Sequence, residues 1–173
     1  MEPERVATDT VEQKIFITTA SEKFALLKNI LRSDDVDSVM VFANRRDICR
    51  TLYERLKKQG FKVGLIAGDV PQARRMKTLE AFKSGAIKVM VATDVAGRGI
   101  HVNGVSHVIN FTLPEEPEDY VHRIGRTGRA GQTGTSISFA CEDDAVLLEP
   151  IEKLLDMKLS CTMPDEALLA EDA

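Results

Sequence analysis

Three arginines stand three residues apart in "HRIGRTGRAG" (122–131): Arg123, Arg126 and Arg129, preceded by His122 and interleaved with Gly125, Gly128 and Gly131. A guanidinium is permanently charged and offers a planar fork of donors that matches phosphate oxygens. Glycines between such groups keep side chains out of the way of a close approach and let the backbone turn tightly. The chemistry open to this array is the stabilisation of negative charge spread over a phosphate. A plainer alternative is that the arginines neutralise Glu115, Glu116, Glu118 and Asp119 just upstream. Charge matching of that kind would not require this spacing with glycines interleaved.

A turn of fixed cations needs elements to hold it. Short β-branched runs alternate with longer amphipathic ones along the chain. "QKIFITT" (13–19) precedes a helix with Ser21 as its expected N-cap, and "SVMVFAN" (38–44) leads into "RRDICRTLYERLKKQ", where Ile48, Leu52 and Leu56 fall at helical spacing before Gly60. "KVGLIAG" (62–68) leads into a helix with Pro71 near its first turn, Met76, Leu79, Ala81 and Phe82 as its expected buried side, and Gly85 past its end. The runs "IKVMVAT" (87–93), "VSHVINF" (105–111) and "GTSISFA" (134–140) predict three more strands. "PEDYVHRIG" (117–125) and "EDDAVLLEPIEKLLDM" (142–157) predict helices. This rhythm predicts an α/β fold, a mostly parallel sheet with helices on both faces. In open sheets of that kind ligands gather outside the carboxyl ends of the strands. The turns expected there, "NRRD", "GDVPQARR", "TDVAGRGIH" and "TLPEEPEDY", are polar and carry repeated charges.

At 173 residues with 43% hydrophobic side chains, the chain buries about two-thirds of its unfolded surface, enough for one ordinary domain. A net charge of -4 excludes a protein coated uniformly by nucleic acid, so a polyanion site must be a local patch. Cys49, Cys141 and Cys161 are odd in number and lack metal-ligand spacing, which fits a reducing compartment. No run reaches the 18 to 20 apolar residues of a membrane span, and the acidic start "MEPERVATDT" lacks the build of a signal peptide. A cytoplasmic protein without a membrane partner is expected. The expected boundaries are a flexible segment at 1–11, a domain at 12–156 and a loose acidic tail at 157–173.

"VFAN", "GDVPQARR", "VATDVAGRGIHV", "VINFTLP" and "HRIGRTGRAG", in this order and at these separations, resemble the second RecA-like domain of a DEAD-box ATP-dependent RNA helicase. The likeness covers about residues 12–156, and its details are similar to the degradosome type within that family. Related groups without the RNA restriction tend to carry Gln where His122 stands, which weakens a DNA translocase reading.

The resemblance implies roles. Arg126 and Arg129 correspond to arginine fingers, which in phosphoryl transfer are worth about 10³ to 10⁵ in rate. His122, Arg123, Gly125 and Gly128 would fix the turn and meet a partner domain. Asn44 and Arg45 would line an RNA path, Gln72 and Arg75 match a QxxR element that meets RNA phosphate, and Thr93 with Gly97 and Gly99 would let the backbone approach another phosphate. Asp94 and Arg98 would hold the loop or the domain interface. The family's usual residues at the positions of Gly97 and His101 are Ala and Asp. A histidine cannot repeat the carboxylate's contact with a nucleotide ribose, so that role of His101 stays open. His107 is expected to be structural. The absence of an aromatic platform beside these groups implies phosphate contact without sequence choice.

No GxxxxGK[ST] loop occurs in the sequence, and "DEAL" (165–168) follows no strand. The resemblance therefore implies that ATP and magnesium are bound mainly by an N-terminal RecA-like domain of the parent chain, and that these residues alone are inactive. RNA, taken without sequence preference, is the implied partner. A reading from a different class is a protein-interaction module that docks on an endoribonuclease scaffold of the RNA degradosome.

Overall fold

The computed structural model describes residues 11–33, 35–94, 104–128 and 133–170. Seven strands form one sheet: β1 (Val11–Ile17), β2 (Val39–Phe42), β3 (Val63–Ile66), β4 (Val89–Ala92), β5 (His107–Asn110), β6 (Gly134–Ala140) and β7 (Cys161–Thr162). Their order is β3-β4-β2-β5-β6-β1-β7, and every pairing is parallel. Among the described residues six α-helices accompany them: α1 (Lys23–Leu31), α2 (Arg46–Lys58), α3 (Gln72–Ser84), α4 (Pro117–Ile124), α5 (Ala145–Leu155) and α6 (Glu166–Leu169).

Strands β2 and β4 read as continuous apolar runs because both faces of the sheet are covered there. Alternate side chains point to opposite faces. Val39 and Val41 of β2 and Val89 and Val91 of β4 pack with Leu26, Leu27, Ile30, Leu52 and Leu56 of α1 and α2. Met40, Phe42, Met90 and Ala92 face the other way, toward Phe82 of α3. Further along that sheet, Ile15 packs with Tyr120 and Ile124 of α4 and Ile151 and Leu155 of α5. Each fully buried Val, Leu, Ile, Phe or Met side chain among them contributes about 1.5–3 kcal/mol relative to exposure. No helix among the described residues is long and apolar enough to cross a membrane.

Three expectations need correction. Ser21 does not cap α1: its hydroxyl pairs with that of Thr19, and the Glu22 carboxylate reaches back to the Thr19 backbone N–H at 3.2 Å. In α3 only Phe82 is buried, and Met76 is 48% exposed. The reason is that α3 packs on β3, the edge strand, where part of the helix face looks past the sheet. Finally, the stretch expected as a loose tail is packed through residue 170. Cys161 and Thr162 pair with Ile15 and Phe16, Leu168 and Leu169 pack on the α1 side, and Asn29 Nδ2 donates to the carbonyls of Leu168 and Ala170, both at 2.8 Å.

Candidate functional site

Because every strand is parallel, the sheet has two unlike ends. The carboxyl ends of β4, β2 and β5 lie side by side, and a single side chain ties them together. Arg123 sits in the last turn of α4, a helix that returns from the carboxyl end of β5 toward the amino end of β6. Side chains on a helix lean toward its N-terminus, so this guanidinium reaches back to the carboxyl ends. There Nε and Nη2 each meet one oxygen of Asp94 at 2.6 Å. Nη2 also donates to Asn44 Oδ1 at 2.8 Å, and Nη1 donates to the Thr112 carbonyl at 2.7 Å and to Asn110 Oδ1 at 3.2 Å. All five donors of the fork are used, the Phe42 ring centroid lies 5.4 Å from the guanidinium carbon, and Arg123 is 1% exposed. A charge this deeply buried is tolerable only with such complete pairing.

The turn that follows α4 lies at the opposite end of the sheet. Thr127 is fully buried; its hydroxyl donates to the carbonyls of Val105 and Ser106, just ahead of β5, and the Val105 N–H donates to the Arg126 carbonyl at 3.2 Å. Gly134, first residue of β6, lies directly beneath: a Cβ there would fall 2.1 Å from Thr127 Oγ1 and 2.4 Å from the Gly128 nitrogen. Gly128 itself has φ 69°, in the left-handed region that favours glycine. The half-buried Arg126 is thus carried on a backbone clamped to the amino ends of β5 and β6, with His122 exposed one turn earlier.

At the carboxyl ends, Asn44 and Arg45 line an open cleft of about 820 Å³ shared with Arg46, Asp47, Arg50 and Asp69. Asn44 is committed on both sides of its amide, since Nδ2 donates to the Leu113 carbonyl at 2.8 Å while Oδ1 accepts from Arg123. Thr93 is buried beside Asp94. Gln72 and the half-buried Arg75 stand in the first turns of α3 at the same end of the sheet but outside the cleft lining. The expected site residues therefore divide between two ends, with Arg123 in the element that connects them. Gly97, Arg98, Gly99, His101 and Arg129 lie outside the described residues.

Sequence reading passed over Asn110, Thr112 and Thr127. A signal for the first was available: an asparagine inside the apolar run "HVIN" must find a polar partner when buried. The same reading overlooked Asp69, whose carboxylate faces Arg50. Three buried titratable groups have shifted acidities and no part in the polar ends. Burial pushes the Cys49 thiol and the Tyr120 phenol each up to about 12, and Tyr120 donates to Gln13 Oε1 at 2.6 Å. Burial also lowers His107, against the opposing pull of Asp35, while its Nδ1 lies 2.9 Å from Ser106 Oγ.

A family model described as the helicase conserved C-terminal domain matches residues 22–131. The chain is similar to the ATP-dependent RNA helicase RhlB of Pseudomonas aeruginosa, 60% identical over 169 residues, covering 98% of this chain and 43% of that protein. It is also similar to the RhlB of Vibrio atlanticus, at 45% identity over 172 residues, 99% of this chain and 39% of that protein. It therefore spans less than half the length of these curated relatives. Among solved structures, the Escherichia coli DEAD-box protein SrmB bound to regulator of ribonuclease activity A superposes with a TM-score of 0.83 at 31% identity, covering 94% of this chain and 95% of that one. The C-terminal domain of the DEAD-box protein Dbp5 does so with a TM-score of 0.80 at 29% identity, covering 89% and 91%.

Proposed function

The chain belongs to the helicase conserved C-terminal domain family, with the RecA-like fold of DEAD-box C-terminal domains, and from that premise we propose that it is the second motor domain of an ATP-dependent RNA helicase. In this reading the two ends of the sheet do two jobs. The amino end presents Arg126 to the phosphates of an ATP held with magnesium by a preceding domain, and the sequence resemblance gives Arg129 the same task. The carboxyl end, with Asn44, Arg45, Gln72, Arg75 and Thr93, meets the RNA backbone. The observation that carries the reading is the clamp on the turn: Thr127 and the Arg126 carbonyl tie it to Val105 and Ser106, so a cation beside it is held rather than free to wander. Preorganised charge of this kind acts on a transition state without reorganising at the moment of reaction.

Because the sequence holds no phosphate-cradling loop, RNA-stimulated ATP hydrolysis by these 173 residues alone is expected to be undetectable. Single-stranded RNA should bind weakly and without sequence preference, with log K falling against log salt by about 0.7 per phosphate neutralised. Anisotropy titrations at several salt concentrations test this. A steep sequence dependence with a flat salt response would contradict it.

A second reading is docking on an endoribonuclease scaffold. It draws on the net charge of -4, which suits a basic segment, and on SrmB having been solved with a regulator of ribonuclease activity. Pull-down with the parent organism's endoribonuclease is its test, and absence of contact with this domain removes it.

A further inference from the structure

The cleft at the carboxyl ends of β2 and β3 carries as much negative charge as positive. Its three arginines, Arg45, Arg46 and Arg50, share the lining with Asp47, Glu54 and Asp69. Two of the arginines are already engaged. Arg45 gives Nε and Nη2 to the two oxygens of Asp47, each at 3.0 Å, and Arg50 Nη2 meets Asp69 Oδ2 at 2.5 Å. The second pair bridges the cleft, from α2 to the turn that follows β3. A carboxylate offers a guanidinium fork the same oxygen acceptors that a phosphate does. Solvent reaches both pairs, with side-chain exposures of 70% and 65% for the first and 48% and 43% for the second. Exposed pairs are weak enough to be exchanged for another anion.

We infer that Asp69, assisted by Asp47, is a built-in competitor for RNA phosphate in this cleft. In the RNA-free chain it holds Arg50 in place across the opening, and it must give way when a phosphate arrives. The exchange keeps RNA affinity low and release rapid, which suits a groove that has to let go in every cycle. Asp47 has a second reason for its position, because an acid in the first turn of α2 complements the helix dipole. Asp69 lies outside any helix, and its carboxylate is turned to Arg50, so the inference stands chiefly on that residue. It rests on the RNA-binding reading above.

The test is Asp69→Asn in the full 173-residue chain, titrated with a labelled single-stranded oligouridine at low and moderate salt. Asn keeps the shape and removes the charge, and thermal melting checks that the fold is kept. Asp69→Asn should bind roughly three- to tenfold more tightly at low salt, with the gain shrinking as salt rises. Glu80→Gln, which removes an exposed carboxylate of α3 that does not line the cleft, should change affinity less than about twofold, since solvent between an exposed charge and the site weakens its effect. In Asp69→Asn combined with Arg50→Gln the gain should vanish. Unchanged or weaker binding by Asp69→Asn while the unaltered chain binds normally would overturn the inference and leave the domain assignment standing; the carboxylate would then be positioning Arg50. Failure of the unaltered chain, Asp69→Asn and Asp47→Asn alike to bind RNA would overturn both.

Discussion

Arg123 and Asp94 form a two-point ion pair, Nε and Nη2 each 2.6 Å from a carboxylate oxygen, with the arginine 1% exposed. Asp94 follows β4, Arg123 belongs to α4, and the same guanidinium holds Asn44 after β2 and Thr112 after β5. Three strand ends are thereby referred to one group, and the helix bearing that group runs directly into the arginine turn at the other end of the sheet. The same helix thus joins the contacts at the carboxyl ends to the backbone of Arg126.

Arg123→Lys should be costly. An ammonium cannot span five acceptors set around a planar fork, and it leaves Asp94 and the Asn110 amide short of partners in a buried setting. Breaking a buried pair from one side typically costs about 3–5 kcal/mol. Urea denaturation of the variant should show a loss of that order, whereas Arg45→Lys, at a side chain 70% exposed, should lose less than about 1 kcal/mol. Equal stability of the two variants would show that the fork geometry does not matter.

Gly134→Ala tests the clamp on the turn. The added methyl would meet Thr127 Oγ1 at 2.1 Å and the Gly128 backbone nitrogen at 2.4 Å, and backbone cannot swing aside as a flexible side chain would. The turn must lift, and a loss of about 1–3 kcal/mol in stability is expected from overpacking of this kind. Gly68→Ala, where nothing lies within 4 Å, should be close to neutral. Thermal melting of both variants decides it, and a neutral Gly134→Ala would mean that the turn is loosely held.

Much of this architecture was legible in the residues. Apolar runs such as "VMVF" and "VMVA" announced strands buried on both faces, and Gly85 does end its helix in the left-handed conformation, with φ 87°. The arginine spacing marked the turn, but not which end of the sheet would carry it. That depends on the return path of α4, which carries Arg126 to the amino ends of β5 and β6. Asn44 was legible as a strand-end residue, yet its engagement by Arg123, 79 positions away, is a tertiary fact that no local pattern contains. Met76 and the packed Leu168 and Leu169 show the same limit: periodicity gives a face, not what lies opposite it.

Alkaline pH should destabilise the fold through its buried acids. Cys49 and Tyr120 are held protonated by burial at about 12, above their ordinary values of 9.0 and 10.0. A folded value above the unfolded one gives stability that is whole below the unfolded value and is lost as pH rises toward the folded one. The slope is on the order of 1.4 kcal/mol per pH unit for each group. Urea melts at increasing pH should fall with a steepening slope above pH 9, and Cys49→Ala should flatten the first part of that fall, before the phenol begins to titrate at 10. Identical profiles for Cys49→Ala and the unaltered chain would contradict the role given to the thiol.

The most direct measurement is RNA-stimulated ATP turnover by a full-length two-domain helicase built with this domain, with Arg126 and Arg129 each replaced by Lys. Lysine keeps the charge and removes the planar fork, so fold and most RNA affinity should survive. If these arginines act on the transferring phosphoryl group, turnover should fall by about 10² or more in each variant, while Arg74→Lys, at an exposed position of α3, leaves it nearly unchanged. Near-normal turnover in Arg126→Lys and Arg129→Lys, with unchanged melting temperatures, would contradict the finger role and leave the turn as a structural device.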